Sequence, residues 1–363
     1  MIALAYNILD LFSGAGGMSK GMDMVPGFTT VVATDFNKPA LDTFKYNFPK
    51  ADVVYGDILD KDVKTNIQRI AEKRGVNMII GGPPCQGFSN KGKKLGLKDP
   101  RNFLFLEYLD MVKRLLPKVF VIENVKAMLN AADGYFIDEI KRHINDLGYN
   151  MTYGVLTASD FGVPQNRQRA IIIAFKEGQP HLPEPTVVNK TTVKDAISDL
   201  AYLNSGEGKF EQDYKYSPKS EYQKLMRLNS KKLFNHQATA HSKKALYKLS
   251  LIPPEKGKEY LPKELQGKQL FKTTWGRLKW DTQSPTIDTR FDTPSNGTNS
   301  HPYLNRAITP REAARIQSFP DDFIFLGKKT YVTKQIGNAV PPLMAQAIAQ
   351  TIKDQTENEN IQQ

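Results

Sequence analysis

Cysteine, histidine and long apolar runs are scarce in this chain of 363 residues, and each scarcity excludes a class of protein. Cys85 is the single cysteine, so an intrachain disulfide is excluded and a reducing compartment is favoured. His236 and His241 have no cysteine partners nearby, which argues against a zinc site. No apolar run approaches the ~18 residues of a membrane-spanning helix, and no secretory signal pattern is present. We therefore expect a cytoplasmic protein that binds neither metal nor membrane.

Positive charge, in contrast, is abundant and unevenly spread. The net charge is +12 and the isoelectric point is about 9.4, which favours an anionic partner. Residues 186–305 contain 20 Lys and Arg against 12 Asp and Glu, so this third of the chain holds +8 of the excess. It also holds both tryptophans and many hydroxyl and amide side chains, a mixture that suits phosphates and base edges. A solvated lysine-rich surface explains the same composition equally well.

The N-terminal third alternates apolar runs with helical patterns, which is typical of an α/β sheet. Residues 7–12, NILDLF, predict a strand, and SGAGGMSKG predicts a glycine turn that opens a helix. Such glycines let a ligand approach the backbone, while the helix N-terminus favours negative groups. The next two predicted strands end at Asp35 and Asp57, where acids can bind a ribose diol and an adenine amino group. Helix capping is the alternative role for each aspartate.

Two further predicted strands end at residues that carry reactive groups. The stretch GGPPCQGFS (81–89) follows the apolar strand 78–80 and contains Cys85, and Glu123 follows the strand 119–122. Because neighbouring parallel strands end at the same edge, we expect Cys85 and Glu123 to lie close together. A thiol could attack a ring carbon while a carboxyl group supports a ring nitrogen. The alternatives are a buried structural cysteine and a helix-capping glutamate.

An ordered set of motifs across the chain closely resembles the DNA (cytosine-5)-methyltransferases. Residues 7–175 and 304–353 carry the resemblance. The segments are DLFSGAGG (10–17), Asp35, GDI (56–58), GGPPCQGFS (81–89), ENV (123–125), ASDFGVPQNRQR (158–169), RAITPREAARIQSFPDDF (306–323) and QIGNAVPP (335–342). Two positions depart from the family pattern. Asp35 replaces the usual glutamate, and Gln168 stands where a glutamate often separates the two arginines.

The resemblance implies a fold and a division into domains. We expect an α/β protein with a mostly parallel, Rossmann-like class I methyltransferase sheet and a second, smaller target recognition domain. Residues 1–180 would form the cofactor-binding and catalytic domain, and residues 187–303 the target recognition domain. Residues 304–354 would return to the catalytic domain, and residues 355–363 would form a flexible tail.

The resemblance also implies the reaction, which is methyl transfer from S-adenosylmethionine to C5 of a flipped-out cytosine in duplex DNA. Cys85 would add to C6 of the base, and Glu123 would bind the N3 and amino edge. Arg167 and Arg169 would hold the base oxygen or a nearby phosphate and help to keep Cys85 as thiolate. Water or hydroxide would accept the C5 proton.

DNA contacts would come from Gln86 and Ser89 of the catalytic loop and from Thr286, because Thr286-Ile287 resembles the family's Thr-Leu signature. Arg277, Arg290, Trp275 and Trp280 of the insertion 187–303 are further candidates. A core aromatic or a surface salt bridge explains each of these four residues equally well. We expect a monomer whose cognate restriction endonuclease, where one exists, acts separately. The residues implied to bind the cofactor are Phe12, Gly14, Ala15, Gly16, Asp35, Phe36, Asp57, Ile58, Pro84, Leu104 and Asn338.

Three other functions are compatible with parts of the sequence. An RNA (tRNA) cytosine-5 methyltransferase shares this catalytic core, but the long insertion 187–303 favours the readout of duplex DNA. A non-catalytic DNA-binding protein of the same fold is disfavoured by the intact Cys85, Glu123 and Arg169. A dinucleotide oxidoreductase would explain the glycine turn but neither GGPPCQGFS nor ENV.

Overall fold

The computed structural model describes residues 5–84, 104–267 and 273–362, with side chains up to residue 357. The chain forms two compact units, both assembled from separate stretches. The first comprises Met1–Thr157, Gln168–Thr186 and Val340–Gln363, and the second comprises Ala158–Arg167 and Val187–Ala339. Residues 304–339 therefore make their contacts within the second unit, whereas the predicted domains assign them to the catalytic part. The domain functions themselves stay predictions.

Within its described residues, the first unit contains a seven-stranded sheet with the order β3-β2-β1-β4-β5-β7-β6. The strands are β1 (Tyr6–Leu11), β2 (Phe28–Asp35), β3 (Asp52–Tyr55), β4 (Met78–Gly81), β5 (Val119–Val125), β6 (Asn150–Thr157) and β7 (Gln168–Phe175). Strands β1 to β5 pair in parallel, while β7 is antiparallel to both of its neighbours. The predicted mostly parallel α/β sheet is confirmed.

Helices connect the parallel strands and cover the apolar sheet. They are α1 (Gly17–Asp23), α2 (Lys38–Asn47), α3 (Lys61–Lys73), α4 (Leu104–Leu115) and α5 (Tyr135–Asp146). Asn37 caps the N-terminus of α2, where its side chain accepts from the Ala40 amide at 3.3 Å. Buried Tyr108 of α4 ties two central strands together, since its hydroxyl lies 3.0 Å from the Ile79 carbonyl and 2.9 Å from that of Val121.

Strand β5 is longer than the sequence predicts, and this changes the position of Glu123. The apolar run predicts a strand that ends at Ile122, with Glu123 just beyond it. In the structure Glu123 and Asn124 belong to β5 and pair with Ile171 and Ala170 of β7. The apolar run ends at Ile122, so the sequence pattern gives no sign that the strand continues through Glu123 and Asn124. The continuation depends on pairing with β7, whose residues lie almost 50 positions later in the chain.

The second unit combines short helices with two small two-stranded sheets in its described residues. Strands β8 and β9 pair antiparallel, and β10 and β11 pair in parallel. The strands are β8 (Gly208–Gln212), β9 (Leu233–Gln237), β10 (Gly276–Arg277) and β11 (Thr298–Ser300). The helices are α6 (Val193–Ile197), α7 (Glu221–Arg227), α8 (Lys243–Ser250), α9 (Lys263–Gln266), α10 (Pro310–Ile316) and α11 (Lys329–Asn338).

Buried ion pairs organise the second unit around α10. Arg315 donates to both carboxylate oxygens of Asp321, at 2.9 and 2.7 Å, and to Asp199 at 2.7 Å. Arg306 makes a two-pronged pair with Glu312, with both distances 2.7 Å. All five side chains are fully buried, so each charge depends on its partner for solvation.

The C-terminal helix returns to the first unit. Helix α12 (Pro342–Gln362) packs against α1 so closely that a Cβ atom on Gly21 would lie 2.1 Å from the Pro342 carbonyl oxygen. Helix α12 is separate from α11, which ends at Asn338. The break falls before Pro341, since proline disfavours helical backbone in the preceding residue.

Helix α12 also continues further than predicted. Its backbone is helical to Gln362, where the sequence predicts a flexible tail over residues 355–363. In the described ranges, none of the helices combines the length and apolar character needed to cross a membrane.

Candidate active site

The turn after β1 has a left-handed backbone that Asp35 holds in place. Phe12, Gly14 and Gly16 have φ angles of 58°, 54° and 94°. The Gly14 amide donates to one carboxylate oxygen of Asp35 at 2.8 Å, and the Asn37 amide donates to the other at 2.8 Å. Asp35 therefore joins the glycine turn to the start of α2. A carboxylate has about four acceptor sites, so Asp35 can still accept a hydrogen bond from a ligand.

The glycine at position 16 is required by close packing as well as by its φ angle. A Cβ atom there would lie 2.6 Å from the Phe48 ring and 2.8 Å from the Phe44 ring. The two rings stack 4.4 Å apart beneath the turn, and the neighbouring Ala15 is buried. The apolar support fixes the turn before any ligand binds.

A cavity of about 350 Å³ opens beside this turn, within the size range of small-molecule sites. Thr34, Gly56 and Leu59 also line it, although they were not among the predicted cofactor residues. Of the other predicted cofactor residues, Gly14, Ala15 and Gly16 form the turn itself, and Asn338 is an exposed residue at the end of α11 in the second unit. The predicted cofactor residues that line the cavity are Phe12, Asp35, Phe36, Asp57, Ile58, Pro84 and Leu104.

Two acids near the turn, Asp35 and Asp10, have raised pKa values. Burial raises the pKa of Asp35, and the amides of Asn37, Gly14 and Phe36 partly offset that rise. Burial also raises the pKa of Asp10 in β1 to about 8, although the Ser19 hydroxyl donates to its carboxylate at 2.5 Å. Sequence reasoning missed Asp10. The signal was an acid inside the apolar run NILDLF.

Glu123 forms an ion pair with Arg169 across two neighbouring strands. Arg169 Nε lies 2.8 Å from Glu123 Oε1, and the two side chains are 14% and 11% exposed. Antiparallel pairing places Arg169 opposite Val125, two residues from Glu123. The ion pair brings together two residues that the sequence predicted separately for the site. Because this pair is mostly buried, its charges are weakly screened.

The end of β4 lies directly against Glu123. A Cβ atom on Gly82 would lie 2.9 Å from Glu123 Oε2, so glycine leaves room for the carboxylate. The Asn124 side-chain amide donates to the Pro83 carbonyl at 2.9 Å. Two residues after Gly82, Pro84 lines the cavity. The acid and the cavity thus meet at one sheet edge.

Three predicted site residues, Cys85, Gln86 and Ser89, lie outside the described residues. Arg167 belongs to the second unit, where its side chain is 1% exposed and Nη1 lies 3.4 Å from the Ile287 carbonyl oxygen. Its surroundings therefore differ from those of Arg169. Among the residues with described side chains, no group of three or more His, Cys, Asp or Glu could hold a metal ion.

The predicted DNA contacts in the second unit fall into two classes. Thr286 and Arg290 are exposed and available to a ligand, as the prediction requires. Trp275 is buried in an apolar cluster with Leu249 and Ile252, which gives it a packing role. Trp280 is half-buried and packs against histidine and tyrosine rings.

Arg277 has a structural role that its sequence position did not reveal. It is 3% exposed, and its guanidinium donates to the carbonyls of Leu249 and Leu304 at 2.8 and 2.7 Å. It also donates to the Ile252 and His301 carbonyls, both at 3.1 Å. Burial lowers its pKa to about 10. A guanidinium whose donors are used in this way cannot also bind DNA, so we withdraw Arg277 from the predicted contacts.

Comparison with known proteins places this geometry in context. Residues 6–354 match the sequence profile described as C-5 cytosine-specific DNA methylase. The chain is 37% identical over 387 residues to Type II methyltransferase M.DdeI of Desulfomicrobium norvegicum. This alignment covers 98% of this chain and 90% of the relative. It is also 37% identical over 361 residues to Type II methyltransferase M1.HphI of Haemophilus parahaemolyticus, with 98% and 89% covered.

A solved structure is similar over nearly the whole chain. It is described as a DNA modification methyltransferase encoded within a prophage (E. coli), and it superposes with a TM-score of 0.78. The sequences are 26% identical, and the alignment covers 97% of this chain and 100% of that one.

Proposed function

Because this chain belongs to the C-5 cytosine-specific DNA methylase family, we propose that it transfers a methyl group from S-adenosylmethionine to C5 of a cytosine in a specific duplex DNA sequence. The family resemblance read from the ordered motifs is thereby confirmed, and the chain is a methyltransferase. One observation carries the finer proposal. The Glu123–Arg169 ion pair lies against Gly82, two residues before Pro84 of the cavity wall.

The cavity suits the proposed cofactor. Its carboxylates, Asp35 and Asp57, offer acceptors for a ribose diol and an adenine amino group, and Phe12 offers a ring for stacking. Aromatic and acidic groups also suit a positively charged sulfonium. When bound, S-adenosylmethionine supplies the methyl group. Residues of this chain would hold it, orient it and exclude water from it.

The protein's own groups would activate the base. C5 of cytosine is a weak nucleophile, and addition of the Cys85 thiolate to C6 would move the electron pair of the C5–C6 double bond onto C5 and, by conjugation, towards N3, so that C5 becomes an enamine-like nucleophile. Glu123 would hydrogen-bond the N3 and amino edge as charge develops there, and Arg169 would fix the orientation of Glu123. After C5 is methylated, loss of its proton to water or hydroxide and expulsion of Cys85 would restore the double bond.

The target base would have to leave the helix first. C5 and C6 are inaccessible inside a stacked duplex, and flipping a base out costs a few kcal/mol. Gln86 and Ser89 are our candidates for filling the vacated space. The positive charge of residues 186–305 would supply sequence-independent affinity for phosphates, which salt weakens. Exposed Thr286 and Arg290 remain candidates for direct contacts.

The proposed function is tested by incubating DNA of mixed sequence with the protein and S-adenosylmethionine, followed by bisulfite sequencing. We expect methylated cytosines within one short sequence motif, which would also identify the target. Cys85→Ala should abolish the signal, because no group would remain to add to C6. Methylation that persists in this variant would disprove the role of Cys85. Methylation of tRNA but not of DNA would replace the proposal with the RNA alternative.

Asp35→Ala should weaken the binding of S-adenosylmethionine about 10- to 100-fold, because charge-assisted hydrogen bonds contribute roughly 1.5–3 kcal/mol. Titration calorimetry measures this effect. Asp60→Ala is the matched control, since Asp60 also accepts two backbone amides at the start of a helix but does not line the cavity. DNA affinity at fixed salt should change little in both variants. Equal cofactor affinity in the two variants would show that Asp35 does not bind the cofactor.

A further inference from the structure

Gln165 is fully buried, and both the oxygen and the nitrogen of its side-chain amide form hydrogen bonds. Its Oε1 accepts the Ile287 amide at 2.8 Å. Its Nε2 donates to Gln317 Oε1 at 2.7 Å and lies 3.4 Å from the Ile316 carbonyl. Asparagine carries the same amide on a side chain one methylene shorter, and an ionised glutamate has no donor for Gln317. The position therefore specifies glutamine.

The backbone around Gln165 also holds the segment 284–290, which contains Ile287. Gln165 forms a parallel bridge with Ser284, the Ser284 amide donates to the Pro164 carbonyl at 3.0 Å, and the Asn166 amide donates to the Ser284 carbonyl at 2.9 Å. Arg167 approaches the Ile287 carbonyl at 3.4 Å. Residues 164–167 thus hold the peptide groups on both sides of exposed Thr286.

Helix α11 contacts the segment 284–290 beyond Ile287. Gln317 donates to the Ile336 carbonyl at 2.8 Å, which ties Gln165 to the last turn of α11. At the next residue, Gly337, a Cβ atom would lie 2.5 Å from the Asp288 carbonyl oxygen. The helix backbone therefore packs directly on the residue that follows Ile287. All of these contacts lie within the second unit.

The structure points to a positioning role, and we propose that the Gln165–Gln317 pair and Gly337 set the register of the segment 284–290 so that Thr286 and Arg290 face the DNA. The proposal rests on the proposed function, because it concerns how the target sequence is selected. Its physical basis is that Thr286 and Arg290 are exposed, while the backbone between them is held by buried amides. A one-residue slip would turn Thr286 inward.

The test compares Gln165→Met with Gln223→Met as a matched control. Gln223 is equally buried in the same unit, accepts the Lys219 amide at 2.6 Å and donates to Ser198 at 2.9 Å, but none of its contacts involve the segment 284–290. Both variants lose comparable buried hydrogen bonds, so we expect similar falls in Tm. Only Gln165→Met should raise the KM for DNA about tenfold and increase methylation outside the target motif, with kcat within about twofold.

Gly337→Ala provides an independent variant if Gln165→Met does not fold. Alanine favours a helix over glycine, so this change should spare α11 while its methyl group displaces the Asp288 backbone. It should also raise the KM for DNA and relax site selection. The proposal is overturned if folded Gly337→Ala and Gln165→Met keep the parent KM and selectivity, or if Gln223→Met shows the same changes. Absence of any methylation by the parent chain would instead refute the proposed function.

Discussion

Replacing Glu123 with glutamine is expected to lower kcat about 10²- to 10⁴-fold, the range for loss of a general acid or base. The amide retains the size of the side chain, so Gly82 still accommodates it. It cannot carry the negative charge that pairs with Arg169 at 2.8 Å, nor exchange a proton with the base. The affinity for S-adenosylmethionine should stay within about twofold, because Glu123 does not line the cavity.

Glu139→Gln is the matched control for this experiment. Glu139 also pairs with an arginine at 2.8 Å in the first unit, but its partner Arg142 is 56% exposed and the pair lies on the surface of α5. Removing this surface pair should leave kcat and cofactor affinity unchanged. Single-turnover kinetics and calorimetry separate the two quantities. If Glu123→Gln lowered both by the same factor, the acid would be a structural support for the cavity.

Replacing Asp321 with alanine is expected to destabilise the second unit by about 3–5 kcal/mol, the cost of leaving one member of a buried ion pair without its partner. Asp321 accepts two bonds from Arg315 and one from the Tyr214 hydroxyl at 2.7 Å. Arg315 would keep only Asp199 and a backbone carbonyl. Urea unfolding monitored by tryptophan fluorescence measures the loss, since both tryptophans lie in this unit.

Asp213→Ala serves as the control, because Asp213 pairs with Lys232 at 2.7 Å on the exposed surface of the same unit. It should change the free energy of unfolding little. A comparable loss in both variants would show that burial does not set the strength of the Asp321 cluster.

The same cluster predicts a pH dependence. Burial alone would raise the pKa of Asp321, but attraction to Arg315 and the bonds from it outweigh burial, so its pKa is lowered. A group whose pKa is lowered on folding stabilises the protein fully above its unfolded pKa of 3.8. That stabilisation is lost as the pH falls through the lower folded value. The difference in stability between the parent and Asp321→Ala should therefore shrink only at strongly acidic pH.

The sequence predicted local features of the first unit well. Apolar runs located β1 to β5 because buried parallel strands are nearly continuous in apolar residues. The acid at the end of β2 and the glycine turn were identified because their roles depend on neighbours in the first 37 residues, such as Gly14 and Asn37 around Asp35. Seven predicted cofactor residues consequently line one cavity.

Features that depend on distant parts of the chain could not be predicted in the same way. Arg277 was assigned to DNA because it lies in the basic insertion 187–303, yet its partners come from residues 249–252 and 301–305. The contact of Glu123 with Arg169 required the antiparallel pairing of β5 and β7. The role of Gln165 depends on Gln317, about 150 residues later. Local sequence patterns do not predict such distant partners.

The packing of α12 on α1 has a consequence for synthesis of the chain. Helix α1 leaves the ribosome before α12, and about 320 residues separate the end of α1 from the start of α12, including most of the second unit. At about 5–20 residues per second, that interval lasts roughly 16–64 s. During this time Gly21 lacks Pro342 and Ala345, the α12 residues against which it packs in the finished protein. The nascent first unit therefore exposes an apolar helix face to chaperones until the second unit has been made.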